Sequence, residues 1–302
     1  MRSHRLSTAA VLLMTLAACS DGSPEPAVEQ TVNGSPSSAA AEPAGSRQSL
    51  ELTDEGEPRR YDVYAPPDID ATGPAPLVVV LPGTNVALED LERTTGFDLL
   101  ADEEGFLVVY VDSREGTFDA RLCCNGTDRD VAFVQAVIAD VAAELPVDPT
   151  RVYAAGFSAG AAMSYKLAVS APETFAAVAP VSGGFYPDPG APAPEAIVPD
   201  PAPSVITFAG GADPDFDDIL AGTQLWRLGA GCDSPTESSV PGGEGLAVSA
   251  AECADGSTVA VYTVQDMGHA WPGGADGGFG DPDAGLDATR LIWDFFSTLR
   301  RR

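Results

Sequence analysis

The chain has 302 residues, with 45 Asp and Glu against 16 Lys and Arg, and a formal net charge of −29. A surface this negative repels DNA, RNA and anionic lipid headgroups, which excludes recognition of those partners as its main business. Hydrophobic residues make up 44% of the chain, enough for a globular core, and the length less a leader and a linker suits one α/β domain.

In chain order, Arg2 and Arg5 precede an apolar run from Ala9 to Ala18 that is too short to span a bilayer, the pattern of an export signal. The run ends in Leu16-Ala17-Ala18-Cys19, which resembles the lipobox of bacterial lipoproteins. That resemblance implies removal of residues 1–18 and a diacylglyceryl group on the Cys19 sulfur. Loss of Arg2 and Arg5 then makes the remainder two units more negative. Residues 19–48 are rich in Ser, Pro, Ala, Gly and Glu and lack large apolar side chains, so they read as a disordered tether. Residues 49–302 read as the folded domain.

From Leu50 the pattern changes. Leu50 and Leu52, then Tyr61 and Val63, alternate with polar residues across Asp54-Glu55-Gly56-Glu57, a hairpin signal. Leu77–Leu81 and Phe106–Val111 are continuous runs rich in β-branched residues, as expected of strands buried on both faces. Further strands are expected at Arg151–Ala155, Phe175–Ala179, Ser204–Phe208 and Val259–Val264. Val131, Val134, Ile138, Val141 and Leu145 recur at helical spacing, with Thr127 or Asp128 as N-cap. Helices are also expected over Ala159–Ser170, stopping before Pro172, and over Leu286–Leu299. The Pro-rich stretch Tyr186–Pro203 reads as a long loop, either bordering a binding site or simply a surface linker. Strands alternating with helices predict an α/β fold, one domain with a mostly parallel central sheet flanked by helices on both faces.

Cys19 aside, four cysteines remain, at 123, 124, 232 and 253, and they allow three pairings. Cys232 and Cys253 flank a Gly/Ser/Pro-rich excursion and are the favoured bridge. Cys123 and Cys124 then form a vicinal disulfide or stay reduced. With no Cys-x-x-Cys and no His cluster, neither a metal nor a cofactor is expected.

Two histidines are present, and His4 lies in the leader, which leaves His269 alone in the domain. The segment Gly156-Phe157-Ser158-Ala159-Gly160 stands between a predicted strand and a predicted helix, the setting of a nucleophile elbow. Ser158 as nucleophile requires a general base, and His269, on a loop after the last predicted strand, is the candidate. The orienting acid is expected to be Asp213, just after the Ser204–Phe208 strand, with Asp215, Asp217, Asp218 and Asp266 as rivals. An oxyanion needs two backbone N–H donors. Ala159 follows the nucleophile, and Thr84 follows Pro82, which has no N–H, and Gly83. Trp271 is expected either to wall the substrate pocket or to pack in the core.

Taken together, these segments resemble the secreted esterase family of polyhydroxybutyrate-depolymerase-like enzymes, feruloyl and acetylxylan esterases, and LpqC-type lipoproteins. The matching pieces run in order: Arg60–Pro66, Leu81–Thr84, Cys123-Cys124 before Asp130–Phe133, Arg151–Tyr153 leading into Gly156–Gly160, Pro172-Glu173, Gly210–Pro214, Leu225-Trp226 to Cys232, and Gly268–Gly273. The resemblance implies an α/β-hydrolase fold with Ser158, Asp213 and His269 as triad. It also implies a serine carboxylic ester hydrolase of small or oligomeric feruloyl- or acetyl-type esters, extracytoplasmic, lipid-anchored or secreted, and touching membrane through its anchor alone. Polyhydroxyalkanoate depolymerisation is the alternative within this class, and a non-catalytic ligand-binding lipoprotein on a hydrolase scaffold is the alternative outside it. Two positions depart from the family, Pro82 and Ala209, each standing where a His is usual. Both bear on substrate preference.

Overall fold

A computed structural model describes residues 42–71, 73–122, 127–240 and 243–301. The fold is carried by the unit Ala41–Arg302. The leader, Cys19, most of the expected tether and the Cys123-Cys124 pair lie outside the described residues.

Ten strands form one sheet in the order β1-β2-β4-β3-β5-β6-β7-β10-β9-β8. β1 (Ser46–Asp54) and β2 (Glu57–Ala65) are the expected hairpin. β1 begins inside the segment expected as tether, because Ala44 N–H is held by Asp102 and Gly45 N–H by the Tyr64 hydroxyl. β2 joins β4 (Leu107–Val111) antiparallel. From there β3 (Ala75–Leu81), β5 (Val147–Phe157), β6 (Ala177–Val181), β7 (Ser204–Gly210) and β10 (Thr258–Val264) continue in parallel. β9 (Leu246–Glu252) and β8 (Thr236–Ser239) close the far edge antiparallel.

The continuous apolar runs have the two-sided burial they predict. In β3, Leu77, Val79 and Leu81 enter one core while Val78 and Val80 enter the other. The first core packs against α3 (Arg129–Glu144), α4 (Ala159–Ser170) and α5 (Phe216–Gly229), where Tyr165, Phe185 and Trp226 meet ring to ring. The second packs against α1 (Leu88–Thr95), α2 (Phe97–Glu104) and α6 (Ala288–Ser297), with Trp293 stacked on Phe106 and Phe296 on Tyr153. Burial at this density is the main driving force for the layered arrangement.

Several elements differ from the sequence expectation. The strand expected at Phe175–Ala179 runs instead from Ala177 to Val181 and includes Pro180. A proline weakens a central strand, since it has no N–H for the ladder. The pairing of β6 with β7 accordingly skips Ala179 and Pro180, while β5 still sets Gly156 opposite Pro180. Helices α1, α2 and α5 were not expected; α1 and α2 are short and charged, and α5 has only a weak apolar face. The first two are eight residues each, ending at Gly96 and Gly105 in left-handed conformation. Cys232 and Cys253 are joined as a disulfide, linking the turn after α5 to the end of β9. No helix among the described residues is long and apolar enough to cross a membrane.

Candidate active site

Four chain segments converge at the carboxyl ends of neighbouring parallel strands, where the crevices of open α/β sheets lie. β5 ends at Phe157 and α4 begins at Ala159, so Ser158 is a one-residue corner. Its backbone has φ 55° and ψ −112°, a conformation that costs a non-glycine residue about 1–3 kcal/mol. Close packing enforces the corner. A Cβ on Gly160 would lie 2.1 Å from the Leu81 carbonyl oxygen, and one on Gly156 would lie 2.1 Å from the Gly160 oxygen. Only hydrogen fits at either position, which is the physical content of the two glycines in the motif. The Ser158 N–H donates to Val181 O at 2.9 Å, fixing the corner to the end of β6.

Asp213 sits in the turn after β7, where its N–H donates to Gly210 O at 3.1 Å. It is 5% exposed. One carboxylate oxygen accepts the Asp215 N–H at 3.0 Å, and the other lies 2.8 Å from His269 Nδ1. That contact assigns the ring proton to Nδ1 and leaves Nε2 as the basic nitrogen. Asp215, Asp217, Asp218 and Asp266 are exposed, and none accepts a hydrogen bond from His269. Asp215 does approach closely. With Asp213 and His269 it forms a group whose oxygen and nitrogen atoms lie within 4.8 Å of one another. Two members of that group are already bonded to each other, the arrangement of an acid orienting a base.

The His269 ring lies 5.0 Å, centre to centre, from the ring of Phe157, the residue before Ser158. Phe279 stacks on the Phe157 ring at 4.2 Å. The Ser158 hydroxyl makes no hydrogen bond to the imidazole within 3.5 Å, and such bonds are often long until substrate is in place. The Phe157–Phe279 wall was not visible in the sequence, because one ring sits inside the Gly-x-Ser-x-Gly motif and the other in a Gly-rich loop.

The turn after β3 lies directly against the corner. A Cβ on Gly83 would be 2.9 Å from the Phe157 ring and 3.2 Å from Ser158 Cβ, so one there would push the Phe157 ring aside. Thr84 Oγ1 is 3.1 Å from Thr117 Oγ1, and the next N–H, that of Asn85, donates to Gly116 O at 2.7 Å. The N–H groups of Thr84 and Ala159 donate to no protein group among the described residues. For Ala159 this follows from its place at the first position of α4, ahead of any carbonyl the helix offers. Such an N-terminus also favours negative charge.

Trp271 does not line the cleft. It is fully buried, its indole N–H donates to Thr289 Oγ1 at 3.0 Å, and its ring meets Phe97 edge-on at 6.0 Å. The expectation of a pocket wall is corrected: a large apolar ring next to α2 and α6 gains more from the core than from solvent. Tyr186 is the exposed ring nearby. Burial of its hydroxyl end, with the Asp215 and Asp218 carboxylates beside it, pushes the phenol up, so it remains neutral.

A family model described as Esterase PHB depolymerase matches residues 59–193. The putative esterase NocK of Nocardia uniformis subsp. tsuyamanensis is 30% identical over 321 residues, covering 90% of this chain and 90% of that protein. The bifunctional acetylxylan esterase/xylanase XynS20E of Neocallimastix patriciarum is 34% identical over 130 residues, which is 43% of this chain and 19% of that longer protein. Among solved structures, the acetyl xylan esterase of Aspergillus awamori superposes with a TM-score of 0.63 at 17% identity, covering 84% of this chain and 99% of that one. The likeness in structure is one of fold, that of the α/β-hydrolases.

Proposed function

This chain belongs to the esterase family of the polyhydroxybutyrate-depolymerase type, and from that premise we propose that it is an extracytoplasmic serine carboxylic ester hydrolase working through an acyl-enzyme. The observation that carries the reading is the 2.8 Å contact between Asp213 and His269, set at the same sheet edge as the strained Ser158 corner. His269 Nε2 takes the Ser158 proton as the oxygen attacks the ester carbonyl. The Thr84 and Ala159 N–H groups receive the developing oxyanion, and Asp213 holds the imidazole in the required tautomer and stabilises its cation. The imidazolium then protonates the leaving alcohol. Water, activated by the same nitrogen, releases the acid.

Small or oligomeric esters of feruloyl or acetyl type fit best. A groove of about 420 Å³ starts at Thr117, the hydrogen-bond partner of Thr84, and is lined by Phe118, Arg121 and Arg129 among others. It offers room for part of a substrate beyond the scissile bond. Pro82 and Ala209 stand where the family resemblance leads one to expect histidines, which favours an acyl chain needing no histidine contact. Polyester oligomers are the second reading, supported by the family's own description. Export and a lipid on Cys19 rest on the leader and lipobox pattern of residues 1–19.

The test is turnover of p-nitrophenyl acetate together with labelling by a fluorophosphonate probe. Wild type should do both, and Ser158→Ala should lose labelling and on the order of 10⁶ in kcat. A folded wild-type protein that neither labels nor turns over substrate is a binding protein instead. Release from methyl ferulate, acetylated xylan and hydroxybutyrate oligomers then ranks the substrate classes.

A further inference from the structure

We propose that Ser182 is a positioning residue that locks the His269 loop to the nucleophile corner, an inference that rests on the triad reading. Residues Val181, Ser182 and Gly183, where β6 ends, touch all three segments that bear the triad. Val181 O accepts the Ser158 N–H at 2.9 Å, and Ser182 N–H donates to Phe208 O of β7 at 2.9 Å, in the strand that leads to Asp213. The Ser182 hydroxyl donates to Ala270 O, next to His269, at 2.8 Å. Gly183 presses so closely on the corner that a Cβ there would lie 2.6 Å from Ser158 O.

The backbone shows that this geometry is held against resistance. Ser182 has φ +49° although it is not glycine, and it is 1% exposed. A left-handed residue at the end of a buried strand turns its side chain off the sheet's alternation. Here the side chain reaches the His loop, 88 residues away in sequence. A buried serine serving only as filler could be alanine, with the same backbone conformation and no hydroxyl to satisfy. The loop carrying His269 is anchored on either side by the buried Met267 and Trp271, and its exposed imidazole, 35% accessible, has one side-chain hydrogen bond, to Asp213. The bond from Ser182 to the adjoining carbonyl fixes how far the ring stands from Ser158.

The experiment compares Ser182→Ala, Ser182→Gly and Ser182→Thr in the full-length protein. His269 is the one histidine of the folded unit, so its imidazole N–H resonance is assigned against His269→Gln. The alanine and glycine variants should lose or broaden the Nδ1–H signal. They should also lose about 10- to 100-fold in kcat on p-nitrophenyl acetate with KM changed less than about twofold, the effect of a small misplacement. Threonine restores the hydroxyl and should recover both readouts, even though its β-branch at positive φ makes it the least stable of the three to heat. Activity ordered opposite to stability marks positioning. Wild-type resonance and kcat in Ser182→Ala and Ser182→Gly, or losses that simply follow thermal stability across the set, would overturn the proposal. If wild type itself turns over no ester yet the Nδ1–H signal still depends on the hydroxyl, the esterase reading fails while the role of Ser182 stands.

Discussion

The carboxyl edge of the sheet and the flank beneath α1 and α2 are both costly to build, but in different ways. At the carboxyl edge the load is steric. Asn85, Ser158 and Ser182 all take positive φ, at 58°, 55° and 49°, and backbone passes backbone where glycines leave no room for a methyl group. At the flank the load is desolvated charge. Arg47 of β1 reaches Glu92 of α1 at 2.5 Å and also pairs with Asp98 of α2, while Arg60 pairs with the buried Asp62. Tyr110 donates to Asp98 at 2.8 Å. Burial pushes Glu92 up to about 7, only partly opposed by Arg47, and pushes Asp98 up as well. Steric strain is indifferent to pH and salt, whereas buried carboxylates are not. A reactive corner built from the first kind of load keeps its geometry while the protein's charge state changes around it.

That contrast is open to direct attack. The largest effect is expected from Asp213→Asn, which preserves shape at the carboxyl edge but removes the charge that orients His269. kcat on p-nitrophenyl acetate should fall by about 10⁴ with the circular dichroism spectrum unchanged. A fall of less than tenfold would mean that the edge does not depend on this carboxylate. Next is Gly160→Ala, which forces a methyl group to within 2.1 Å of the Leu81 oxygen. Urea unfolding should show about 2–3 kcal/mol lost, equally at pH 5 and pH 8, because the clash has no charge in it.

The smallest effect, and the sharpest in sign, concerns Glu92. A carboxyl raised from its ordinary 4.5 to about 7 in the folded state binds more protons there than in the unfolded chain. Stability therefore falls as pH rises between those two values and stays reduced above them. Glu92→Gln should then be more stable than wild type at pH 8, by on the order of 1–2 kcal/mol, with the gain vanishing towards pH 4. Arg47 keeps Asp98 as partner in that variant. Urea midpoints across pH check the sign, and kcat at the distant edge should not move.

Much of this architecture was legible before folding was considered. Runs such as Leu77–Leu81 identify themselves because a strand covered on both faces has no need of polar residues. The helix over Ala159–Ser170 was predicted at its observed bounds, since the motif before it and Pro172 after it leave little choice. The strand through Pro180 was placed two residues early, because proline argues against a central strand and only the neighbours on either side show how the ladder skips it. α1 and α2 escaped notice because charged residues such as Glu92 and Asp98 stand on their buried faces, where Arg47 of β1 pairs with both.

Residue identity alone named the candidates for nucleophile and base, since one serine stands in an elbow motif and one histidine lies beyond the expected leader. It could rank the acids but not choose among them, and it left Trp271 divided between pocket and core. The fold sets Asp213 beside His269 and buries Trp271 in the core. A hydrogen bond between residues 56 apart depends on where two turns meet in space, and burial depends on rings and helices contributed from elsewhere in the chain. The same holds for Ser182, an ordinary serine in Val-Ser-Gly-Gly whose reach to the His269 loop exists only once β5, β6 and β7 lie side by side.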